Sequence, residues 1–268
     1  MDAKTVDIPY KYGDQFVLWP LADVHKGNDT CDVVRLKLDV KKAADTENLL
    51  IVGVGDLLDS IIVTDKRYRK ALDATPSESV VDDQIGEMCE ILTPVKAKIL
   101  CLGDGNHEQT IIEKAGTNPT KRLAALLGVP IYFGLSWLLK VNFREETGRG
   151  RSLTIRGHHG WGGGSRLQGA DISKFSRDVL FWQADLFIYG HVHKTKADIV
   201  EEGRMVGRDS WRTFQKKMLI AGTYQRTYTT TNVSTWAESR GFPPVTIGSP
   251  IAYLKPNAEA GVDVKLLI

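Results

Sequence analysis

The sequence predicts an α/β protein built as a single domain over residues 1–268. Short apolar runs rich in Val, Ile and Leu recur along the chain, and such runs suit strands that are buried on both faces. Between them lie segments with apolar residues three and four positions apart, which is the spacing of amphipathic helices. No repeat, low-complexity tract or linker divides the chain, so one large domain is the simplest organisation.

Five of the apolar runs lead into a polar motif. Because side chains placed just after strand ends meet at one edge of a sheet, these motifs are expected to converge. The runs are Gln15–Pro20, Asn48–Val54, Ala97–Leu102, Ser152–Arg156 and Asp185–Tyr189. In the same order, the motifs are Asp23-Val24-His25, Gly55-Asp56-Leu57-Leu58-Asp59, Gly105-Asn106-His107-Glu108, His158-His159-Gly160 and Gly190-His191-Val192-His193.

The other elements follow from the same patterns. Amphipathic spacing predicts helices over Asp32–Ala44, Asp82–Leu92, Pro119–Leu127 and Asp171–Trp182. Val141–Arg151, with its glycines, is typical of a hairpin between two strands. Residues 194–268 are expected to add strands and rim loops, with strands at Lys194–Val206, Lys217–Ala221 and Val262–Ile268 and a connecting segment at Gly222–Pro250.

Composition and charge indicate an ordinary globular protein. The apolar fraction is 42%, the charged fraction is 25%, and a net charge of +2 is too small to indicate nucleic-acid binding by itself. The cysteines are three in number and form no C-x-x-C pair, which favours free thiols in a reducing compartment. No signal peptide is evident, and no run approaches the ~20 apolar residues that span a bilayer. A cytoplasmic protein without membrane contact is therefore expected.

The polar motifs contain all six histidines of the chain. Imidazole is a common ligand for transition metals, and carboxylate and amide oxygens complete such sites. Asp23 and His25 are two positions apart, so on an extended chain both side chains point to the same side and can grip one ion. Asp56 has two carboxylate oxygens with which it could bridge two ions, and Asn106 offers a neutral amide oxygen. The motifs therefore predict a two-metal centre.

As an ordered set, these motifs resemble the calcineurin-like metallophosphoesterase superfamily. The matching motifs extend from Asp23 to His193, roughly two thirds of the chain, and the C-terminal tail resembles those of small stand-alone, often phage-encoded, members. The resemblance implies a two-sheet β-sandwich flanked by helices, with two divalent ions bound at the loop edge of the sheets. Mn²⁺ is the metal expected in vitro, with Fe, Zn, Ni, Co and Mg as the alternatives.

The resemblance also assigns the ligands. Asp23, His25 and His193 would hold the first ion, and Asp56 would bridge both. The second ion would be held by Asn106, His191 and one of the tandem histidines. His159 is preferred over His158 because it precedes Gly160, as in the H-G motif of the family.

Two further residues receive chemical roles from the resemblance. His107 would stabilise the phosphoryl oxygens or protonate the leaving oxygen. Asp59, three residues after Asp56, would hydrogen-bond to His107 and orient it. The alternative for Asp59 is a helix N-cap, since Asp is favoured at that position.

The reaction that the resemblance implies is hydrolysis of a phosphoester by a metal-bridging hydroxide. Phosphoprotein phosphatases of the family carry arginines where this chain has Ser60 and Gly105, and a dianionic monoester would lack those clamps here. This favours a phosphodiesterase acting on nucleotides or single-stranded nucleic acid. The alternatives are a phosphomonoesterase for proteins or small metabolites and, less favoured because every ligand is present, a non-catalytic scaffold. Oligomeric state is not predicted.

Five residues are candidates for substrate contact: His158, Trp161, Arg166, Lys66 and Tyr224. Lys66 belongs to a basic cluster that could follow a phosphate backbone, with a solvated helix face as the alternative. Trp161 lies in a glycine-rich stretch and could stack on a base, or it could anchor the turn to the core.

Overall fold

The computed structural model describes residues 1–62, 80–146, 148, 150–230, 234–257 and 261–268. Its strands are β1 Asp2–Pro9, β2 Phe16–Leu21, β3 Leu49–Val54, β4 Ile99–Gly103, β5 Ile131–Phe133, β6 Ser136–Arg144, β7 Gly150–His158, β8 Leu186–Tyr189, β9 Thr195–Met205, β10 Trp211–Ala221, β11 Ile251–Asn257 and β12 Gly261–Leu267. Its helices are α1 Val33–Asp45, α2 Val80–Leu92, α3 Asn106–Ala115, α4 Pro119–Leu127, α5 Ala170–Val179 and α6 Trp236–Ser239, with a 3-10 turn at Thr93–Lys98.

The strands form two mixed sheets of six strands each. The first sheet has the order β12-β11-β2-β3-β4-β5, in which β2, β3, β4 and β5 are parallel. The second has the order β1-β6-β7-β8-β10-β9, in which β7, β8 and β10 are parallel. Each sheet therefore contains a block of neighbouring parallel strands whose carboxyl ends lie at the same edge.

The two sheets pack face to face, and helices cover their outer faces. Apolar side chains from both sheets fill the layer between them, including Val52, Leu139 and Ile155. A second apolar layer lies between the first sheet and α1, α2 and α4, and a third lies between the second sheet and α5. This confirms the predicted fold class, a two-sheet sandwich flanked by helices. Within the ranges listed above, no helix is both long and apolar enough to cross a membrane.

Most predicted elements lie within two residues of their observed bounds. Pro119–Leu127 is reproduced as α4, and the predicted hairpin at Val141–Arg151 joins β6 to β7. Helix α5 ends at Val179, three residues before the predicted end, and β10 begins at Trp211, six residues before the predicted start. Several elements were not predicted: β1, β5, β11, α3 and α6. Two of them, β5 with three residues and α6 with four, are too short to show an apolar periodicity.

Candidate metal centre

The five polar motifs lie at the carboxyl ends of five strands, as the apolar runs predict. Asp23, Asp56 and Asn106 follow β2, β3 and β4 of the first sheet. His159 and His191 follow β7 and β8 of the second sheet. Because these strand ends lie at one edge of the sandwich, the motif side chains come together across the seam between the two sheets.

Five of the candidate ligands have left-handed backbone conformations. The φ angles are 49° for Asp23, 50° for His25, 49° for Asp56, 73° for His191 and 55° for His193. A non-glycine residue in this region costs on the order of 1–3 kcal/mol and persists only where the surroundings fix it. Here main-chain bonds between the loops do so, including Asp23 N to Gly55 O at 3.1 Å and His25 N to Asp56 O at 3.0 Å. These left-handed residues turn each loop sharply after its strand.

One group of ligand atoms consists of Asp23, His25 and His193, whose donor atoms all lie within 4.8 Å of one another. His25 Nε2 is 3.1 Å from His193 Nε2, and His193 Nε2 is 3.4 Å from Asp23 Oδ1. This is the set that the resemblance assigns to the first ion.

A second group consists of Asp56, His159 and His191, again with donor atoms within 4.8 Å of one another. Asn106 completes it, because its Oδ1 is 3.0 Å from His159 Nε2 and 2.7 Å from His191 Nδ1. Of the tandem histidines, it is therefore His159, and not His158, that lies in this group of donor atoms.

Asp56 links the two groups. Its Oδ2 lies 3.2 Å from His159 Nε2 in the second group and 3.8 Å from His25 Nε2 in the first. Its other oxygen, Oδ1, accepts a hydrogen bond from His107 N at 2.9 Å, which fixes the orientation of the carboxylate. A carboxylate in this position can serve both groups at once.

The donor set fits divalent cations. Asp23 Oδ2 accepts a hydrogen bond from His191 N at 2.8 Å, whereas Asp23 Oδ1 is buried and has no hydrogen-bond partner. A buried carboxylate oxygen without a partner is costly unless a cation neutralises it. The atoms that face it are imidazole nitrogens, as in transition-metal sites.

The histidine ring nitrogens that point away from the other donor atoms also fit a metal site. His159 Nδ1–H donates to Val54 O at 2.9 Å, and His191 Nε2–H donates to Gly162 O at 2.5 Å. His25 Nδ1 lies 3.4 Å from Asp59 Oδ1. Metal-ligating histidines usually bind a carbonyl or carboxylate through their second nitrogen, which fixes the tautomer and the ring orientation.

Glu108, which the sequence analysis left without a role, ties two motif loops together. Its buried carboxylate accepts hydrogen bonds from Asp56 N at 3.1 Å, Leu58 N at 3.1 Å and Gly105 N at 2.9 Å. It is also the third residue of α3, so its bond to Gly105 caps that helix. The signal for this role was present in the sequence, because Glu three residues after an N-cap position is a capping pattern.

Glycines in the motifs provide space for the carboxylates. A Cβ at Gly105 would lie 2.0 Å from Asp56 Oδ1, and a Cβ at Gly190 would lie 2.8 Å from Asp23 Oδ2. Neither position has a positive φ. The glycines are therefore needed for close approach and not for backbone freedom.

Asp56 and His159 stabilise each other's charged forms. Burial alone would raise the pKa of Asp56, but His159 and His107 outweigh it and hold the pKa well below its ordinary value. Burial would lower the pKa of His159, but the carboxylates of Asp56 and Asp23 raise it to about 10. In the metal-free protein, protons therefore occupy positions that cations would take.

His107 forms a third possible ligand group with His25 and Asp56, and it is held by the main chain of Asp59. His107 Nδ1–H donates to Asp59 O at 2.5 Å, and its Nε2 is 3.9 Å from Asp56 Oδ2. The predicted contact to the Asp59 carboxylate is longer, 3.6 Å from Nδ1. That carboxylate instead accepts a hydrogen bond from Asn28 Nδ2 at 3.1 Å. Asp59 thus lies next to His107 as predicted, but it makes the hydrogen bond through its carbonyl.

A cleft of about 410 Å³ opens above these residues, with His25, Asp56, His107, His191 and His193 at its base. One wall comes from the loop after His25 together with the start of α2, and includes Asn28, Thr30 and Gln84. Another wall comes from the C-terminal segment and is lined by Gln225, Arg226, Thr227, Thr235, Trp236, Ala237, Phe242, Pro243 and Val245.

Several predicted substrate contacts do not line this cleft. The prediction for Tyr224 is wrong, because its ring is fully buried against the helical side and its hydroxyl donates to Asp39 at 2.9 Å. Trp161 packs its ring against His158 and Phe175, with centroids 4.9 and 5.1 Å away, which matches the anchoring alternative. Arg166 donates to the carbonyl of Arg240 at 2.5 Å.

His158, a further predicted contact, does not line the cleft either. His158 Nδ1 accepts a hydrogen bond from Gly160 N at 2.9 Å, and burial lowers the pKa of His158 to about 4, so the ring is neutral and turned away from the ligands. Lys66 lies outside the described residues, and its role stays a prediction.

No protein-family model matches the chain, and no curated protein matches it. Among solved structures, it is similar over 94% of its length to a single mutant of Vps29 from Entamoeba histolytica, with 12% identity, a TM-score of 0.40 and 98% of that chain covered. A predicted phosphoesterase from Streptococcus pneumoniae has 9% identity and a TM-score of 0.33, with 94% of this chain and 98% of that chain covered. A metallophosphoesterase from Sphaerobacter thermophilus has 13% identity and a TM-score of 0.37, with 94% and 88% covered.

These similarities are too weak to support a conclusion about function. The basis for a functional proposal is the chain itself. Its ordered motifs resemble those of the calcineurin-like metallophosphoesterases, and it has the layered fold that this resemblance implies.

Proposed function

We propose that this protein is a dinuclear metal-dependent phosphoester hydrolase, and that it prefers phosphodiesters of nucleotides or nucleic acid. The observation that carries the proposal is the convergence of two ligand groups on one carboxylate, Asp56, at the base of an open cleft. Seven donors of three chemical kinds meet there, and a purely structural cluster would not need five of them to line an open cleft.

The residues divide into two ligand sets that share Asp56. Asp23, His25 and His193 would hold one ion, and Asn106, His159 and His191 would hold the other. When bound, two divalent ions act as Lewis acids on a phosphoryl group and activate water for attack at neutral pH.

His107 is the group best placed to handle the proton of the leaving oxygen. In hydrolysis the oxygen of water forms a bond to phosphorus, one P–O ester bond breaks, and the departing oxygen takes a proton. Because His107 Nδ1–H is bound to the Asp59 carbonyl, Nε2 is the nitrogen that faces the cleft and can hold or deliver that proton.

The charges of the cleft favour a diester over a monoester. Among the described residues that line it, the two cations are Lys194 and Arg226. Lys194 Nζ is 2.7 Å from Asp171 Oδ2, and Arg226 Nη2 is 2.7 Å from Asp32 Oδ2. With both cations already paired, a singly charged diester needs less compensation than a dianionic monoester.

The test compares a chromogenic phosphodiester with the matching monoester, using protein stripped of metal and reloaded with Mn²⁺, Zn²⁺ or Mg²⁺. We expect metal-dependent hydrolysis with the diester preferred, and we expect Asp56→Ala to lose metal binding and turnover together. A tenfold or larger preference for the monoester would replace the diesterase proposal by a phosphomonoesterase. Tight metal binding without turnover on either ester would indicate a non-catalytic scaffold.

A further inference from the structure

The C-terminal wall of the cleft contains an apolar and aromatic part, unlike the ligand-rich base. The rings of Trp236 and Phe242 stack with centroids 5.7 Å apart and an angle of 23° between their planes. Ala237, Pro243 and Val245 extend the same wall. Trp236 remains 53% exposed although it lies over a polar site, so a large flat surface is open for contact with a ligand.

The wall is held in place before any ligand arrives. Thr235 caps the short helix α6 by accepting a hydrogen bond from Glu238 N at 2.9 Å, and its own hydroxyl donates to the Thr227 carbonyl. The Tyr228 hydroxyl donates to Phe242 O at 2.9 Å, and Phe242 N donates to Ala237 O at 3.1 Å. An aromatic surface fixed in this way binds a ring with little loss of conformational entropy.

The charges around the wall indicate the kind of ligand that fits it. Among the described residues that line it, the one cation is Arg226, which is paired with Asp32 through both Nε and Nη2. A surface that followed several phosphates of a polymer would need unpaired cations, since phosphate contacts dominate such binding. The cleft volume of about 410 Å³ lies at the low end of the ~300–1,000 Å³ typical of small-molecule sites.

We propose that Trp236 and Phe242 form a docking surface for a planar aromatic ring, such as a nucleobase, attached to the phosphoester held at the base of the cleft. The substrate class is then a small nucleotide-like phosphodiester, and Trp236 is a specificity residue that selects the ring. This inference rests on the proposed phosphoester hydrolase function and extends it to the group beside the phosphate.

The test uses two cyclic phosphodiesters with the same reactive ring, adenosine 2′,3′-cyclic phosphate and glycerol 1,2-cyclic phosphate. They differ mainly in the presence of the ribose and base. Comparing each variant with the wild type on the same ester removes the intrinsic reactivity of the substrates. The variants are Trp236→Ala, the conservative Trp236→Phe, and Trp211→Ala as a matched control, because Trp211 is also exposed but lies on β10 outside the cleft.

We expect Trp236→Ala to lower kcat/KM for the adenosine ester by about 5- to 150-fold, the range that loss of one base–aromatic stack produces. The loss should fall mainly on KM, and activity on the glycerol ester should change less than about twofold. Trp236→Phe should retain most of the adenosine activity, and Trp211→Ala should match the wild type on both esters. An equal loss on both esters, or no loss on either, would overturn the proposal.

A binding measurement separates this inference from the proposed function. Isothermal titration calorimetry of adenosine 3′-monophosphate and glycerol phosphate requires no turnover. If the wild type hydrolyses nothing but Trp236→Ala selectively weakens binding of the adenosine ligand, the hydrolase proposal fails and the docking surface stands. If the wild type is an active hydrolase and binds both ligands equally, the docking surface fails and the hydrolase proposal stands.

Discussion

The Gly105→Ala variant is expected to lose metal affinity, because the space around Asp56 has no room for a methyl group. An added Cβ would lie 2.0 Å from Asp56 Oδ1 and 2.3 Å from Asp56 N, whereas Cβ contacts under 3.0 Å are essentially never seen. The two loops must therefore separate by about 1 Å. The backbone of residue 105, with φ −110° and ψ −174°, is open to any residue, so the effect comes from space alone.

A separation of this size breaks the 2.9 Å bond from His107 N that orients the Asp56 carboxylate. Loss of an interaction that orients a metal ligand typically lowers metal affinity by roughly 10- to 100-fold. A displacement of about 1 Å at a reactive centre can lower the rate by ~10²-fold. The overpacking itself costs about 1–3 kcal/mol of unfolding free energy.

The assay is calorimetric titration of Mn²⁺ or Zn²⁺ into chelator-stripped protein, together with thermal unfolding with and without metal. Gly86→Ala is the matched control, since a Cβ there meets nothing within 4 Å and the residue lies inside α2. That variant should keep its metal affinity and gain about 0.5–1 kcal/mol of stability. Metal affinity in Gly105→Ala equal to that of the wild type would refute the reasoning.

Three further predictions concern the same centre. His107→Ala should keep its metal content by elemental analysis but lose about 10²–10⁴-fold in turnover, and loss of metal would show that His107 is a ligand. Glu108→Gln should lower Tm by several degrees, because the glutamine amide cannot accept all three main-chain hydrogen bonds and an unpaired buried N–H costs about 1–3 kcal/mol. The control Glu113→Gln, at an exposed position, should leave Tm unchanged. The pKa of His159 is raised from 6.5 to about 10, so protonation of His159 stabilises the metal-free fold below pH 6.5 and this contribution is lost as pH rises toward 10. Tm in chelator should therefore fall between pH 6.5 and 10, and a flat profile, or the same fall in His159→Gln, would contradict this.

The sequence was sufficient to predict which motifs meet. Each motif follows an apolar run that forms a buried strand, and neighbouring parallel strands bring their carboxyl ends to one edge. The choice of His159 over His158 depended on the H-G motif, and in the structure His159 Nε2 lies 3.0 Å from Asn106 Oδ1. Local pattern and site geometry agree here because rigid strands carry the ligands.

What the sequence could not predict lies in the irregular segment between β10 and β11. Tyr224 was expected at the rim, but the chain leaves β10 at an angle that buries its ring and sends Gln225 and Arg226 to the cleft. The wall built on Trp236 depends on hydrogen bonds between residues that are distant in sequence, such as Tyr228 and Phe242. Irregular loops have no hydrophobic periodicity from which the direction of a side chain can be inferred.

The position of the ligands at the seam between the two sheets gives bound ions a mechanical effect. The first group takes Asp23 and His25 from a loop of the first sheet and His193 from a loop of the second. The second group takes Asp56 and Asn106 from the first sheet and His159 and His191 from the second. Each ion would thus act as a non-covalent cross-link between the sheets, restricting their relative sliding. Hydrogen exchange in β3 and β8 should therefore slow together when metal is added, because neither sheet can then open without breaking the same bonds.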